Sequence, residues 1–307
     1  LGYNRRVCYA DGSHSMYRAA GRDVEFTGVE GPDDTDTLAL ACWSASHQLI
    51  AVLHHGTGHP ASTYGRNELS ADYPGMARRL VREALGPVPV LFYNGAEGDI
   101  AMAQQAHPQA TPDSVSARII RFACALAGET LRLLHEMQPL PDVVLKHRRV
   151  ELELPVRLPA ASAVEEGRAV LRRMDAGEVI GGMEAIFAWG PVDLHDRFGK
   201  HPVDRQTFHA LRIGDLAIAT QPFELFCQYQ IDLKRRSPAP VTVVFGLTDG
   251  FGGYLPTLAA SLGGGYSAAP FSWTRFEPAV GCRFVEGAAR MLHALWAEPS
   301  ADAGYKA

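Results

Sequence analysis

With 307 residues, 47% of them hydrophobic and 21% charged, the chain has the make-up of an ordinary globular protein long enough to bury a large core. A net charge of -5 and a pI near 6.2 argue against a polyanionic partner such as nucleic acid, and the basic runs Arg78-Arg79 and Lys234-Arg235-Arg236 read as solvated helix surface. Five scattered cysteines (Cys8, Cys42, Cys124, Cys227, Cys282), odd in number and without a CxxC pair, suggest neither a disulfide framework nor a thiolate zinc site. Four of them stand in apolar stretches and are expected to be packing residues. No run approaches the roughly 18–20 apolar residues of a membrane span. The chain begins at Leu1 without a methionine, so its start is expected not to be the natural one.

In chain order, Leu38 to Trp43 and Leu49 to Leu53 predict a hairpin across the polar Ser44-Ala45-Ser46-His47-Gln48. A helix is predicted from about Pro74 to Leu85, with Asp72 placed to cap it. Val88 to Tyr93 follows as a short strand ending in the loop Asn94-Gly95-Ala96-Glu97-Gly98-Asp99, where small residues permit close backbone approach. Ile119, Phe122, Ala123, Leu126, Thr130, Leu133 and Leu134 recur at helical spacing, which predicts a long helix that Asp113 precedes and that runs to about Met137, stopped by Pro139 and Pro141. Val144 to Val156 alternates like a strand, and Ala163 to Ala176 reads as a charged helix. The stretch 181–203 is the least legible and is expected to be a flexible or partly helical insertion. Thr207 to Ile213, Leu216 to Thr220 and Val241 to Leu247 read as buried strands, with a helix from Leu225 to Arg236 before the last. These elements predict a single large α/β domain over 1–307, a mixed β-sheet core flanked by helices.

Polar residues gather where strands give way to loops. His54, His55 and His59 stand together just after an apolar strand, and neutral imidazole is a common zinc ligand; packing and loop roles are the alternative. Glu224 sits at a strand-to-helix corner, where helix capping competes with ligation. Tyr254 and Tyr266 lie in the glycine-rich loops Gly252-Gly253-Tyr254 and Gly263-Gly264-Gly265-Tyr266.

In order, Asn4-Arg5-Arg6, Ala51 through Pro60, Ser70-Ala71-Asp72-Tyr73-Pro74-Gly75, Asn94 through Ala101, Leu211 through Asp215, Pro222-Phe223-Glu224, Arg236-Ser237-Pro238 and Gly253-Tyr254-Leu255-Pro256-Thr257 resemble successive blocks of the neutral/alkaline, non-lysosomal ceramidase family, over most of the chain up to about Trp296. The resemblance implies a zinc ion (Zn2+) held by two histidines, a glutamate and a tyrosine. Carried across, the metal ligands fall on His59, with His55 as the fallback, on Glu224 and on Tyr254. The active-site tyrosine falls on Tyr266, and Asp99 joins it as a catalytic candidate that, with Asp72, would orient ligands or loops. The remaining histidine belongs to a block expected before Asn4. Either the chain is a fragment, or the site has lost part of its coordination shell.

Where the family's ceramidases carry a serine, this chain has Ala101, which cannot serve as a nucleophile. The expectation is therefore amide hydrolysis by metal-activated water, zinc lowering the water's pKa toward about 7, on a small-molecule or lipid-like amide such as a lipid N-acyl amide. A catalytically silent relative that binds a ligand or partner in the same cleft is the alternative.

Overall fold

The hairpin predicted from Leu38 is the frame of the first half. A computed structural model describes residues 2–18, 21–107, 114–140 and 142–297. The chain enters through β1 (Tyr3–Asn4) and a small meander of β2 (Arg6–Tyr9), β3 (His14–Met16) and β4 (Phe26–Val29), with β2 antiparallel to both partners. The hairpin follows as β5 (Leu38–Trp43) and β6 (Leu49–Gly56), then α1 (Asp72–Leu85) and β7 (Val90–Asn94). Because β7 lies parallel to β6, β6–α1–β7 is a strand–helix–strand crossover. β8 (Ile100–Ala101) returns to pair antiparallel with β1, and α2 (Val115–Glu136) packs beside α1 with the Ser114 side chain capping its start. Asp113, predicted to precede this helix, lies outside the described residues.

In the second half, β9 (Leu145–Pro155) is followed by α3 (Ala161–Asp175) and α4 (Gly182–Phe198). The poorly legible stretch 181–203 is thus mostly helix. It packs on α3, where a Cβ on Gly167 would lie 2.3 Å from the Ala188 carbonyl, so only glycine lets the two backbones approach. Then come β10 (Val203–Ile213), β11 (Leu216–Thr220), β12 (Phe223–Leu225), α5 (Cys227–Arg236), β13 (Val241–Phe245), β14 (Gly253–Leu255), α6 (Leu258–Gly263) and α7 (Ala279–Ala297). β10 pairs antiparallel with β9 and β11, while β11 is parallel to β13, giving the sheet order β13-β11-β10-β9.

The architecture is the predicted mixed α/β single domain, with its strands shared among several small sheets. One core lies between the β9–β13 sheet and α5 and α7, built on Phe208, Phe223, Leu233, Phe276, Phe284 and Leu292. A second lies between the β5–β6–β7 sheet and α1 and α2, built on Val52, Tyr73, Val81, Phe122 and Leu126. The two meet where Tyr93 stacks on Phe245, ring centroids 4.3 Å apart, and where the Gly246 N–H donates to the Asn94 carbonyl at 3.0 Å.

Two local expectations change. Asp72 is the first residue of α1 and not its cap: its φ is 49°, and its carboxylate accepts the Tyr73 N–H at 2.6 Å and the Ser62 N–H at 2.7 Å. Of the cysteines only Cys227 is buried, Cys8 is half-buried, and Cys42, Cys124 and Cys282 are exposed. Cys124 and Cys282 have apolar sequence neighbours but ride on amphipathic helices whose apolar face points elsewhere. Among the described residues, no helix is long and apolar enough to cross a membrane.

Candidate metal centre and its cleft

The short parallel pair β12–β14 places Glu224 and Tyr254 directly side by side in register. A Cβ on Gly253 would lie 2.3 Å from the Trp273 carbonyl, and the residue's φ of 73° suits glycine; the Tyr254 N–H then donates to that same carbonyl at 2.6 Å. The loop 94–99 is fastened to β12 by the Gly98 N–H, which donates to the Leu225 carbonyl at 2.8 Å. There a Cβ would come within 2.2 Å of the Glu224 carbonyl oxygen. Gly98→Ala is therefore expected to cost about 1–3 kcal/mol in urea unfolding by overpacking, and to displace Glu224 from its partners.

From the other half, the loop after β6 delivers His59, whose N–H donates to the Ile100 carbonyl at 3.0 Å. His59 Nε2 lies 2.9 Å from Glu224 Oε2, and Nδ1 lies 2.9 Å from the Glu97 carbonyl oxygen. A carbonyl can only accept, so Nδ1 carries the proton of that bond, and Nε2 is the nitrogen that meets the Glu224 carboxyl. Tyr254 stacks on the His59 ring, centroids 6.4 Å apart, and its hydroxyl hydrogen-bonds Glu224. Tyr266 meets the Tyr254 ring edge-on at 5.9 Å. Burial raises both tyrosine hydroxyls, opposed by the charge of Arg5, so both stay protonated donors at neutral pH.

The predicted residues His59, Glu224, Tyr254 and Tyr266 thus converge from four separate stretches. His55 does not join them: fully buried in β6, it donates from Nε2 to the Val244 carbonyl at 3.1 Å, and burial pulls its pKa down to about 4. His54 bonds Thr130 through Nδ1 at 3.1 Å. Glu224 caps nothing, since α5 starts after Phe226 without a side-chain cap. Asp99 is buried behind the centre, accepting the Cys227 N–H and an Asn4 side-chain N–H, both at 2.7 Å, while burial pushes its pKa up to about 6.

Two residues of the site escape sequence reasoning. Arg5 reaches in between β1 and β2 and donates from Nη2 to the Gly98 carbonyl at 2.8 Å and to the Tyr254 hydroxyl at 3.1 Å, with Tyr17 receiving Nη1 at 3.0 Å. Glu97 is 1% exposed, and neither carboxyl oxygen has a hydrogen-bond partner. Burial, with the charges of Glu224 and Asp99 added, pushes its pKa well above the usual carboxylate range. The only signal of either in the sequence is a charged residue beside glycines or in a short motif block.

His59, Glu97 and Glu224 line a cleft of about 730 Å3 with Asp72, Asn94 and Gly246. On its other side His59 also borders a smaller opening of about 270 Å3 with Tyr17, Ser62 and Ala101. The donor set fits a zinc ion in kind. One imidazole nitrogen is already fixed by a carbonyl on its far side, as ligating histidines commonly are, and a carboxylate and a phenol oxygen stand with it. Among the described residues, no group of three or more His, Cys, Asp or Glu side chains is placed to hold a metal ion, and beside His59 and Glu224 the further oxygen donor is the Tyr254 hydroxyl.

No protein-family model matches the chain, and no curated protein sequence matches it. Solved structures do. A ceramidase complexed with C2 aligns with a TM-score of 0.58 at 13% identity over 85% of this chain and 48% of that one. The neutral ceramidase of Pseudomonas aeruginosa aligns with a TM-score of 0.58 at 15% identity, over 85% and 47%. The fold is therefore ceramidase-like, and the chain spans about half the length of the solved structures it matches.

Proposed function

We propose that this chain is the metal-binding core of a hydrolase that cleaves an amide bond, a lipid N-acyl amide being the conservative substrate class, with zinc held by His59, Glu224 and Tyr254. The observation that carries the reading is the 2.9 Å approach of His59 Nε2 to Glu224 Oε2 beside the Tyr254 hydroxyl, in a fold shared with ceramidases. When bound, zinc supplies Lewis-acid polarisation of a carbonyl and acidification of water. The protein's own part is donors and placement. Tyr266 offers a hydroxyl proton to the oxygen that gains charge, a contribution of about 3 kcal/mol in comparable sites. Arg5 adds fixed positive charge at the same side of His59, and Asp99 holds the Asn4 segment that carries Arg5 in place.

The test is metal content and turnover together. Full-length protein equilibrated with zinc is expected to hold one ion per chain, lost in His59→Ala and Glu224→Ala, and to hydrolyse an N-acyl amide about 10²–10³-fold more slowly as Tyr266→Phe. A protein that takes up no zinc sinks the proposal. Ala101 favours one competing reading, a catalytically silent protein that uses the cleft to bind a ligand. Turnover of amides, esters or short peptides that disappears in Tyr266→Phe rules that reading out.

A further inference from the structure

Among the described residues, His59 alone lines both openings, and the two differ in charge and in size. The larger cleft, about 730 Å3, includes Asp72, Glu97 and Glu224 and neither lysine nor arginine. The smaller opening, about 270 Å3, includes Arg118 and neither aspartate nor glutamate. Ala61, Ala101 and Ala103 leave it room, and Tyr17 and Ser62 give its wall hydroxyls. Ser62 donates to Asp72 Oδ1 at 3.2 Å, toward the larger cleft, where the N–H groups of Ser62 and Tyr73 also engage that carboxylate. The Tyr17 hydroxyl accepts from Arg5 Nη1 at 3.0 Å and keeps its own proton to give. The Arg5 guanidinium carbon lies 5.5 Å from the Tyr17 ring centre, so a second cation stands behind that wall.

Size and charge together assign the two halves of an amide that spans His59. Pro60, Pro74, Phe92, Tyr93 and Leu247 give the larger cleft an apolar wall suited to an acyl chain, while its carboxyl groups disfavour an anion. The smaller opening lies below the roughly 300 Å3 at which ligand pockets usually begin, so it takes a group of a few heavy atoms and no long chain. Arg118, with the Tyr17 hydroxyl polarised by Arg5, suits a carboxylate there.

We infer that the amide taken by this site is an N-acyl amino acid. Its acyl chain lies in the larger cleft and its amide group at His59, and the carboxylate of its amino-acid half enters the smaller opening against Arg118 and Tyr17. The inference rests on the amide reading above for the bond at His59 and adds to it the chemistry of the amine half.

The experiment uses metal-free full-length protein and reads binding by calorimetry. N-octanoylglycine is compared with N-octanoylglycinamide, in which a neutral carboxamide of the same shape replaces the carboxylate. N-octanoylglycine is expected to bind at least about tenfold tighter, in keeping with hydrogen bonds to a charged group. Arg118→Gln is expected to abolish that preference and leave N-octanoylglycinamide binding unchanged. Ala103→Leu, which narrows the smaller opening, is expected to weaken N-octanoylglycine and leave octanamide unchanged. Thermal unfolding of each variant shows that it is folded, and the wild-type comparison decides the matter even if a variant is not. Equal binding of the glycine and glycinamide ligands, no binding of N-octanoylglycine, or an Arg118→Gln protein that keeps the preference overturns the inference. A protein that prefers the carboxylate but takes up no zinc keeps this subsite and loses the hydrolase reading. One that takes up zinc and hydrolyses N-acyl amides without that preference keeps the hydrolase and loses the subsite.

Discussion

Arg6→Met is expected to lower the free energy of unfolding by about 3–5 kcal/mol, read from urea denaturation midpoints at constant slope. Arg6 is fully buried, and its guanidinium joins three parts of the chain. Nε donates to Glu30 Oε2 at 2.8 Å, Nη1 to Ser267 Oγ at 3.0 Å, and Nη2 to the carbonyls of Ala260 and Gly264 at 3.2 and 3.0 Å. Methionine fills much of the same volume, so the loss comes from the stranded acceptors and not from a cavity. Glu30 keeps His14 as a second neighbour at 2.5 Å, which softens its share. Arg6→Met with Glu30→Gln should then cost clearly less than the two single changes added together, because each single change leaves the other's charge buried alone. The same bonds hold the loop 260–267, which carries Tyr266. Tyr266-dependent functions should therefore weaken with the fold. A loss below about 1 kcal/mol would mean that water satisfies these groups and that Arg6 is not the clasp its burial implies.

What could be read in the sequence followed local periodicity. The hairpin from Leu38 shows itself because apolar alternation stops at a polar stretch, and the α2 helix because its apolar residues recur on one face. α4 hides for the opposite reason: it is apolar on most sides and contains Pro191, so neither period nor punctuation marks it. β12 and β14 are three residues each, too short for any pattern, yet their register is what sets Glu224 beside Tyr254. Those two residues came from a resemblance in ordered motifs, and no periodicity would have paired them. Only the resemblance set His59 ahead of His55 in sequence, since both follow the same predicted strand. The separation is tertiary, because the β6 strand turns His55 toward β13 while the loop beyond Gly56 carries His59 to β12.

Arg5 and Glu97 mark the limit of such reading. A charged side chain in a loop is solvated in most proteins, and nothing local distinguishes one that the fold later encloses. Here the enclosure comes from the seam between the two cores. The loops after β6 and β7 bring His59 and Glu97 from one side, and β12 and β14 bring Glu224 and Tyr254 from the other, so burial of the charges arises only when the two halves meet. The site is thus a product of long-range assembly, whereas the elements that frame it are local.

The buried carboxyl behind that seam gives a second measurable consequence. Relative to an Asp99→Asn variant, the wild-type protein is expected to lose stability on the order of 3 kcal/mol as pH rises from about 4 to about 7. Burial lifts Asp99 from 3.8 to about 6 in the folded state, even against the N–H groups of Cys227 and Asn4. A raised folded-state value means that the folded protein holds the proton more tightly than the unfolded chain. The stabilisation is therefore fully present below the unfolded value of 3.8 and is lost as pH climbs through about 6. His54 and His55 act oppositely: burial pulls each down to about 4 from 6.5, so their contribution stands above pH 6.5 and fades as pH falls toward 4. The raised Glu97 leans the same way as Asp99. His54 and His55 titrate in both proteins and cancel in the difference between wild type and Asp99→Asn, which therefore reports Asp99 together with the part of the Glu97 shift that the Asp99 charge causes, whatever the fixed cost of turning an acceptor into an amide beside Asn4. Urea unfolding of both proteins at several pH values between 4 and 7.5 supplies the curve. A difference that stays flat across that range would mean that Asp99 ionises as readily folded as unfolded, and that the Cys227 and Asn4 hydrogen bonds fully offset its burial.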